Sequence, residues 1–399
     1  MNQSIYPDYY EQFACLMGSC RLNCCRENWD IPLMKEEYEA IRAAARKNKG
    51  ELADLIGMAL AKEGSPAGAY AHIRHGKDGA CPLCTTEGLC RLHAACGAEV
   101  LGSVCRTFPR SHVMWNGRHR QACSAGCQAT IELLKNREAP IAFVKGDFVA
   151  DGWAMNRGTY SLPEKMLADR PMLRRLEQLQ EDMAAVLQQR QLSMSARMGQ
   201  LADGLYRLDK AEKEGQSDAQ FAVANPPETF AGDLRDALAA VTLFTTVFYQ
   251  LGSTQEQDFI RTVWDNCGVR FQQGKMGAEL RLDQTCYEEC AAKREALWAQ
   301  NAPNLWEHLM VNQLFQDRLP FGDGSTTVWE NTLYFCAVYA ILRFLAAGAA
   351  QSGWPATEDA LVRGLRKYTH STQLMARTVE QLKRRGMDTP QGLAALLAL

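Results

Sequence analysis

Three cysteine-rich pieces of sequence decide what kind of fold this chain can adopt. They read CLMGSCRLNCCRENW from residue 15 to 29, CPLCTTEGLCRLHAACGAEVLGSVCRTFPR from 81 to 110, and CSAGC from 123 to 127. Eleven of the 15 cysteines lie in this window. One or two unpaired cysteines are usually small buried apolar residues, but eleven among proline, glycine and histidine indicate a metal centre or a set of disulfides.

The rest of the sequence indicates a soluble cytoplasmic protein. The N-terminus, MNQSIYPDYYEQFACL, has no basic and apolar leader, so we expect no export and reduced thiols that are free to bind metal. The formal charge of -2, from 44 basic and 46 acidic residues, gives no support for a nucleic-acid-binding protein. The apolar residues 332–350 include Arg343, so we expect a buried core helix and no membrane span.

A change of composition near residue 150 predicts two domains. Residues 1–150 hold the cysteines, a helix near 33–62 and a loop over 64–80. Residues 151–399 carry long helical patterns, one of them over 278–300, and strand patterns are scarce. The expected fold class is mainly α, with an irregular cysteine-rich metal-binding module joined to a larger helical body.

Thiolates are soft ligands that suit zinc or iron–sulfur clusters, and four of them complete either site. Close pairs on tight loops help, because less entropy is lost when the second ligand reaches the metal. The close pairs are Cys20/Cys24, Cys24/Cys25, Cys81/Cys84 and Cys123/Cys127. Only Cys81/Cys84 has the CxxC spacing of a zinc ribbon, and no stretch has the CxxxCxxC of radical S-adenosylmethionine enzymes. Mixed Cys/His zinc sites stay open as an alternative, because five histidines also lie here: His72, His75, His93, His112 and His119.

The combined spacing of these cysteines resembles one known family. The pattern F-x-C-x4-C-x3-CC-x3-W-x-I over residues 13–31, followed by CPLC…LC…C…PR over 81–110, resembles the flagellin lysine-N-methylases. These belong to a broader cysteine-cluster group regarded as zinc- or iron-chelating. Eight cysteines match, enough for two four-ligand sites or for one site with a structural remainder. By resemblance the metal ligands are Cys15, Cys20, Cys24, Cys25, Cys81, Cys90, Cys105 and Cys127.

The resemblance continues beyond the cysteines, with some departures. Residues 193–201 and 305–322 are similar to helical stretches of the family. Phe108 stands where a tyrosine is common, and His308 stands where an asparagine is expected. Three thiols are additional to the pattern: Cys84, Cys96 and Cys123.

The resemblance implies an S-adenosylmethionine-dependent protein lysine N-methyltransferase whose protein substrate is flagellin. It also implies an iron–sulfur cluster on the thiolates, of the four-iron, four-sulfur type, with zinc as the alternative. Methyl transfer to an amine is a polar substitution, so the reaction itself does not require a cluster. Three roles for the cluster follow in order of preference: fastening the module, chelating the methionine end of S-adenosylmethionine, and reporting redox state.

The sequence does not locate the S-adenosylmethionine pocket or the catalytic residues. Glycine-rich stretches lack the strand–turn–helix context of a nucleotide fold. Four weak candidates, each expected to be structural, are Tyr9, Tyr10, Glu307 and Asn312. Beside the thiolates, Trp29 is interpreted as an apolar cover, and Arg110 as a donor to sulfur or carboxylate or as a cap on a carbonyl.

Two other functions stay open at this stage. One is a non-catalytic zinc- or iron-chelating protein, and the other is a thiol redox protein whose cysteine pairs cycle. The methyltransferase must bind S-adenosylmethionine and label flagellin, which neither alternative does. The long helical body favours the methyltransferase, because holding a metal does not need such a length of chain whereas docking a protein substrate does.

Overall fold

The computed structural model describes residues 3–27, 31–64, 68–76, 79–147, 162–223, 232–274, 277–368 and 372–399. The chain is mostly helical, with 61% helix and 11% strand. The mainly α fold class is therefore confirmed, while the metal-binding character of the cysteine-rich module stays a prediction. The expected domain boundary at residue 150 lies outside the described residues.

The strands of the described residues form three small sheets. In chain order they are β1 (Gln3–Pro7), β2 (Ile31–Leu33), β3 (Leu60–Ala61), β4 (Ala71–Ile73), β5 (Arg110–Trp115), β6 (Arg118–Cys123), β7 (Phe143–Asp147), β8 (Val269–Gly274) and β9 (Gly277–Leu282). The largest sheet has the order β5-β6-β1-β7, in which β1 runs parallel to β6 and the other neighbours are antiparallel. A second sheet has the order β2-β4-β3, and β8 and β9 form a hairpin.

Helices make up most of the remainder. They are α1 (Lys35–Asn48), α2 (Gly50–Ala59), α3 (Arg91–Cys96), α4 (Ser103–Thr107), α5 (Gln128–Lys135), α6 (Glu164–Asp169), α7 (Leu176–Leu187), α8 (Met194–Lys213), α9 (Leu234–Leu251), α10 (Thr254–Asn266), α11 (Gln284–Asn301), α12 (Leu305–Gln316), α13 (Val328–Ala349), α14 (Trp354–Tyr368), α15 (Thr372–Arg384) and α16 (Ala394–Ala398). Several begin where a short polar side chain accepts a hydrogen bond from a first-turn amide, as Ser193, Ser253 and Thr327 do.

Helix α13 is the centre of the helical body. It is apolar on all sides, as a helix surrounded by others must be, and it packs against α8, α10, α11 and α14. With its extension to Ser352 it is long and apolar enough to cross a membrane, yet 94% of its most apolar stretch is buried inside the protein. Arg343, the charged residue within its apolar stretch, pairs with Glu295 of α11 at 2.9 Å. The expectation of a buried core helix is confirmed.

Helix α12 links the helical body to the largest sheet. Its residues from Leu305 to Phe315 are all buried, and it lies against α5, α7 and β6. Phe315 closes a small apolar cluster with Ile5 of β1 and Ala122 of β6. The largest sheet therefore shares the core of the helical body, whereas residues between Ile31 and Leu92 have a smaller core of their own.

Two local predictions are wrong. Residues 278–300 do not form one helix, because the segment opens as strand β9 and α11 begins only at Gln284, after its capping residue Asp283. The loop expected over residues 64–80 contains strand β4, which pairs with β2 and β3. Strands this short carry too few residues for a visible period of two, so their pairing is decided by partners distant in the chain.

Replacing Gly348 with alanine should destabilise the helical body. A methyl group at Gly348 of α13 would lie 2.8 Å from the Cα of Val263 and 2.9 Å from its carbonyl oxygen, so α10 and α13 would have to separate. We expect the free energy of unfolding to fall by about 1–3 kcal/mol. Gly57 of α2 is the matched control, because nothing lies within 4 Å of its added methyl. Gly57→Ala should gain about 0.5–1 kcal/mol from helix propensity. Equal urea midpoints for the two variants would contradict this packing.

Candidate metal and ligand site

The three cysteine-rich pieces come together in space. The amide of Cys81 donates to the carbonyl oxygen of Cys25 at 2.8 Å, which joins the second piece to the first. The amide of Arg21 donates to the side chain of Gln128 at 2.8 Å, which joins the first piece to the start of α5, next to Cys127. Cys84 and Cys90 face each other across an isolated β-bridge. Segments that lie far apart in the chain are therefore joined by hydrogen bonds next to their cysteines.

Four of the predicted ligands form one neighbourhood, here called the first thiol group: Cys15, Cys20, Cys24 and Cys127. Burial, and then the proximity of the other three thiolates, raises the pKa of Cys20 to about 12. Burial also raises the pKa of Cys127, and the Cys24 thiolate adds to the effect. The mutual influence of these thiols on their pKa values indicates that they lie in one region of the fold.

The other four predicted ligands form the second thiol group: Cys25, Cys81, Cys90 and Cys105. Burial raises the pKa of Cys81 to about 11, with smaller contributions from the thiolates of Cys90 and Cys84. Residue Cys105 is exposed as a whole, but its sulfur is desolvated by packed neighbours, which raises its pKa. The Cys81 and Cys90 thiolates raise the pKa of Cys105 further. Cys84 lies in the same neighbourhood, although it is outside the family pattern.

The adjacent residues Cys24 and Cys25 connect the two groups. They lie on a short 3-10 turn, Cys24–Arg26, and the amide of Cys25 donates to the capping side chain of Asn23 at 2.8 Å. A hydrogen bond between the two thiols lowers the pKa of Cys24 and raises that of Cys25. Cys24 raises the pKa of Cys20 and Cys127 in the first thiol group and also that of Cys90 and Cys105 in the second, while the pKa of Cys25 is raised in part by Cys105 and Cys81. The two successive cysteines therefore lie where the two thiol groups meet.

The chemistry of the donor set fits a soft metal. Burial and mutual repulsion disfavour ionisation of so many neighbouring thiols, and a bound cation reverses that balance by stabilising the thiolates. Within the described ranges, no group of three or more histidine, cysteine, aspartate or glutamate side chains is gathered closely enough to hold a metal ion. The thiols are therefore neighbours but do not form a complete coordination site, and the assignment of eight cysteine ligands stays a prediction.

The helical body holds the cysteine-rich loops in place. Arg366 of α14 donates to the carbonyl oxygens of Gly126 at 2.7 Å and Leu22 at 2.8 Å, and it pairs with Glu27 at 2.8 Å. One side chain thus fastens the first and third cysteine-rich pieces to the helical body. Arg21 adds an ion pair with Glu358 of α14 at 2.8 Å.

The side chain of Arg110 binds the segment that precedes the first cysteine. Its Nη2 donates to the carbonyl oxygen of Phe13 at 3.2 Å, and its guanidinium lies 4.9 Å from the centre of the Phe13 ring. The interpretation of Arg110 as a carbonyl cap therefore matches these contacts. Its charge also lowers the pKa of Cys123, against the larger opposite effect of burial. Trp29, the other residue interpreted as a neighbour of the metal, lies outside the described residues.

The side chains of the four weak catalytic candidates are buried and bonded to other residues of the protein interior. Glu307 is buried and pairs with Arg190 at 2.8 Å and Arg197 at 3.1 Å. The Asn312 side chain accepts from the hydroxyl of Tyr9 and donates to the carbonyl oxygen of Cys123 at 3.1 Å. The hydroxyl of Tyr10 accepts a hydrogen bond from Gln121 at 3.2 Å. These contacts join α12 to the largest sheet, to α8 and to the segment between α7 and α8, which agrees with the structural roles expected for them.

The histidines and the additional thiols are scattered around the sheets. His112 and His119 lie on the paired strands β5 and β6, with 2.7 Å between their ring nitrogens. Burial, followed by the neighbouring His119, lowers the pKa of His112 to about 4, so this pair is neutral at pH 7. Cys96 accepts a hydrogen bond from Asn48 at 3.3 Å, and Cys123 is fully buried.

Sequence reasoning missed a cleft beside the second thiol group. It has a volume of about 400 Å³, and the residues that line it include Arg21, Asn23, Arg26, Cys84, Thr86 and Gln255. The cleft joins two turns of the cysteine-rich segment to the first turn of α10. Because Gln255 lies far from the other lining residues in the sequence, no local pattern could have predicted this site.

Asp317, directly after α12, should make stability depend on pH. Burial raises the pKa of this carboxyl to about 6, against smaller opposing effects of Gln313 and Arg318. Because the folded state favours the protonated carboxyl, the contribution of Asp317 to stability is complete below pH 4. It is lost as the pH rises through 6 and the buried carboxyl has to ionise. Asp317→Asn, which can still accept from Gln313, should leave stability unchanged below pH 4 and raise it by about 1–3 kcal/mol at pH 7. Urea titrations at both pH values test this, and an equal effect at both would contradict it.

The comparisons with known proteins identify the class. The model of the FliB lysine N-methylase C-terminal domain matches residues 182–396, more than half of the chain. The helical body is thus that of a protein lysine methyltransferase, and the chain belongs to the FliB lysine N-methylase family. This confirms the resemblance to the flagellin lysine-N-methylases. A search of curated proteins found no match, and neither did a search of solved structures.

Proposed function

We propose that this protein transfers a methyl group from S-adenosylmethionine to lysine side chains of flagellin. The observation that carries the proposal is the family match, which begins within α7 and extends to α16. The match covers the helical body and none of the three cysteine-rich pieces. It therefore supports the activity independently of the metal.

The reaction requires a neutral lysine amine next to the methyl donor. A free lysine has a pKa of about 10.4, so its ammonium must lose a proton before it can react. The nitrogen lone pair then attacks the methyl carbon as the carbon–sulfur bond breaks, and the sulfur keeps that electron pair as a thioether. The enzyme has to exclude water from the amine and align nitrogen, carbon and sulfur.

We also propose that the two thiol groups hold the metal of this enzyme, in the form of an iron–sulfur cluster with zinc as the alternative. The chemistry of the donors supports this, since thiols are soft ligands once ionised and the cysteine-rich pieces that carry them are joined by hydrogen bonds. When bound, such a metal joins the three loops, which have few regular elements of their own. Arg366, which binds two of the loops, keeps this region against the helical body. Reduced thiols fit the cytoplasm, which we propose as the location of the protein.

The test is a methyl-transfer assay on purified protein prepared without oxygen. The protein is incubated with purified flagellin and with S-adenosylmethionine labelled in its methyl group, and peptides are examined by mass spectrometry. We expect label on lysine nitrogens of flagellin. Flagellin with acetylated lysines is the control, because acetylation removes the nucleophilic amine.

Two results would overturn the proposal. One is the absence of transfer by folded, metal-containing protein, and the other is equal labelling of native and acetylated flagellin. Metal analysis and an absorption spectrum of the same sample test the cofactor separately. Iron with sulfide supports the cluster, stoichiometric zinc supports the alternative, and no metal overturns the role of the thiols.

A further inference from the structure

The cleft beside Cys84 has the size and position of a small-molecule site. Its volume of about 400 Å³ is in the range of ligand pockets. One wall is formed by residues 21–23 with Arg26 and Glu27, a second by the turn at residues 84–86, and Gln255 of α10 completes the cleft. A ligand held here would therefore contact the cysteine-rich loops and the helical body together.

The charge in the cleft favours a carboxylate. Arg21 already pairs with Glu358 at 2.8 Å and Asp359 at 3.0 Å. Among the described residues Arg26 has no carboxylate partner; its Nη2 donates to main-chain carbonyls, one of them that of Thr85 at 3.2 Å. Those bonds hold the side chain at the cleft and leave its other N–H groups available. A planar guanidinium with free donors binds a carboxylate in bidentate geometry.

The other polar side chains of the cleft are either neutral or already paired. Among the described residues that line it, no free carboxylate is therefore left to bind the ammonium group of a lysine side chain, which excludes lysine as the preferred ligand. Glu27, the acidic residue that lines the cleft, is paired with Arg366 at 2.8 Å. Asn23 is held in place by its bonds to Gly88 and Cys25. The exposed side chain of Gln255 makes no hydrogen bond within the described part of the chain, so it is available to a ligand with hydroxyl or amide groups.

We propose that this cleft binds S-adenosylmethionine and that Arg26 pairs with its carboxylate. The inference rests on the proposed function, which requires a methyl donor site. The donor carries a carboxylate for Arg26 and ribose hydroxyls for the amide and hydroxyl groups of the cleft. The assignment places the donor at the junction of the cysteine-rich loops and the helical body.

The experiment measures equilibrium binding of S-adenosylmethionine and of decarboxylated S-adenosylmethionine, which differs only by the missing carboxylate. The full-length protein should bind S-adenosylmethionine about tenfold to a hundredfold more tightly than the decarboxylated compound. In Arg26→Gln this preference should disappear, with the affinity for the decarboxylated compound nearly unchanged. Arg91→Gln is the matched control, because Arg91 is an exposed arginine of the same segment, pairs with Glu51 and does not line the cleft.

The outcomes separate the site from the function. If Arg26→Gln keeps the preference, or loses affinity for both compounds equally, the assignment of Arg26 is overturned while the methyl transfer of the unmodified protein still stands. If the unmodified protein neither binds S-adenosylmethionine nor labels flagellin, both the function and the site are overturned. Metal content and circular dichroism of each variant establish that the cysteine-rich loops are intact.

Discussion

Replacing Cys20 with serine and replacing Cys81 with serine are each expected to remove about half of the bound metal, and the double variant is expected to retain almost none. The reason is that these residues lie in different thiol groups, and serine is too hard a ligand to replace a thiolate. A structural metal contributes on the order of 10 kcal/mol to the folding of the segment around it. We therefore expect each single variant to show increased protease sensitivity in its own loops.

Metal analysis of the purified variants measures this effect. Cys96→Ser is the matched control, because Cys96 lies in the same segment, is outside the family pattern and accepts a hydrogen bond from Asn48. It should keep the metal content of the unmodified protein. Complete loss of metal in either single variant would show one shared centre, and full retention in both would rule out these cysteines as ligands.

Replacing Glu307 with glutamine is expected to lower the free energy of unfolding by about 3–5 kcal/mol. The carboxylate is 2% exposed and binds two arginines, one of which, Arg197, has a side chain that is only 9% exposed. Glutamine has nearly the same shape, but it leaves the guanidinium groups without a compensating charge. A buried, unpaired charge is costly because the protein interior solvates it poorly.

Thermal and urea unfolding of the purified variant test this expectation. Glu164→Gln is the control, because the side chain of Glu164 is 89% exposed and lies 3.7 Å from Arg174, so its removal should change stability little. The measurement also separates a structural from a catalytic role. A catalytic Glu307 predicts lost methyl transfer with unchanged stability, whereas the ion pairs predict a loss of stability.

Much of the helical body could be predicted because helical periodicity is local information. The buried core helix expected over residues 332–350 is found as part of α13, because its long apolar run is visible in the sequence itself. The strands were harder, since β9 has a composition that also suits a helix and β4 is only three residues long. Their structure depends on pairing with residues elsewhere in the chain.

The cysteine spacing alone indicated the family and a metal-binding role for eight cysteines. Only the tertiary structure decided which thiols are neighbours. Cys127 lies near Cys20 although about a hundred residues separate them in the chain, and Cys25 lies near Cys81 and Cys105. The same holds for the cleft, which Arg26 and Gln255 line together. The spacing of residues in the sequence determines only which nearby residues can form a local structure together. Contacts between distant residues are decided by the packing of the whole chain around α13 and α12.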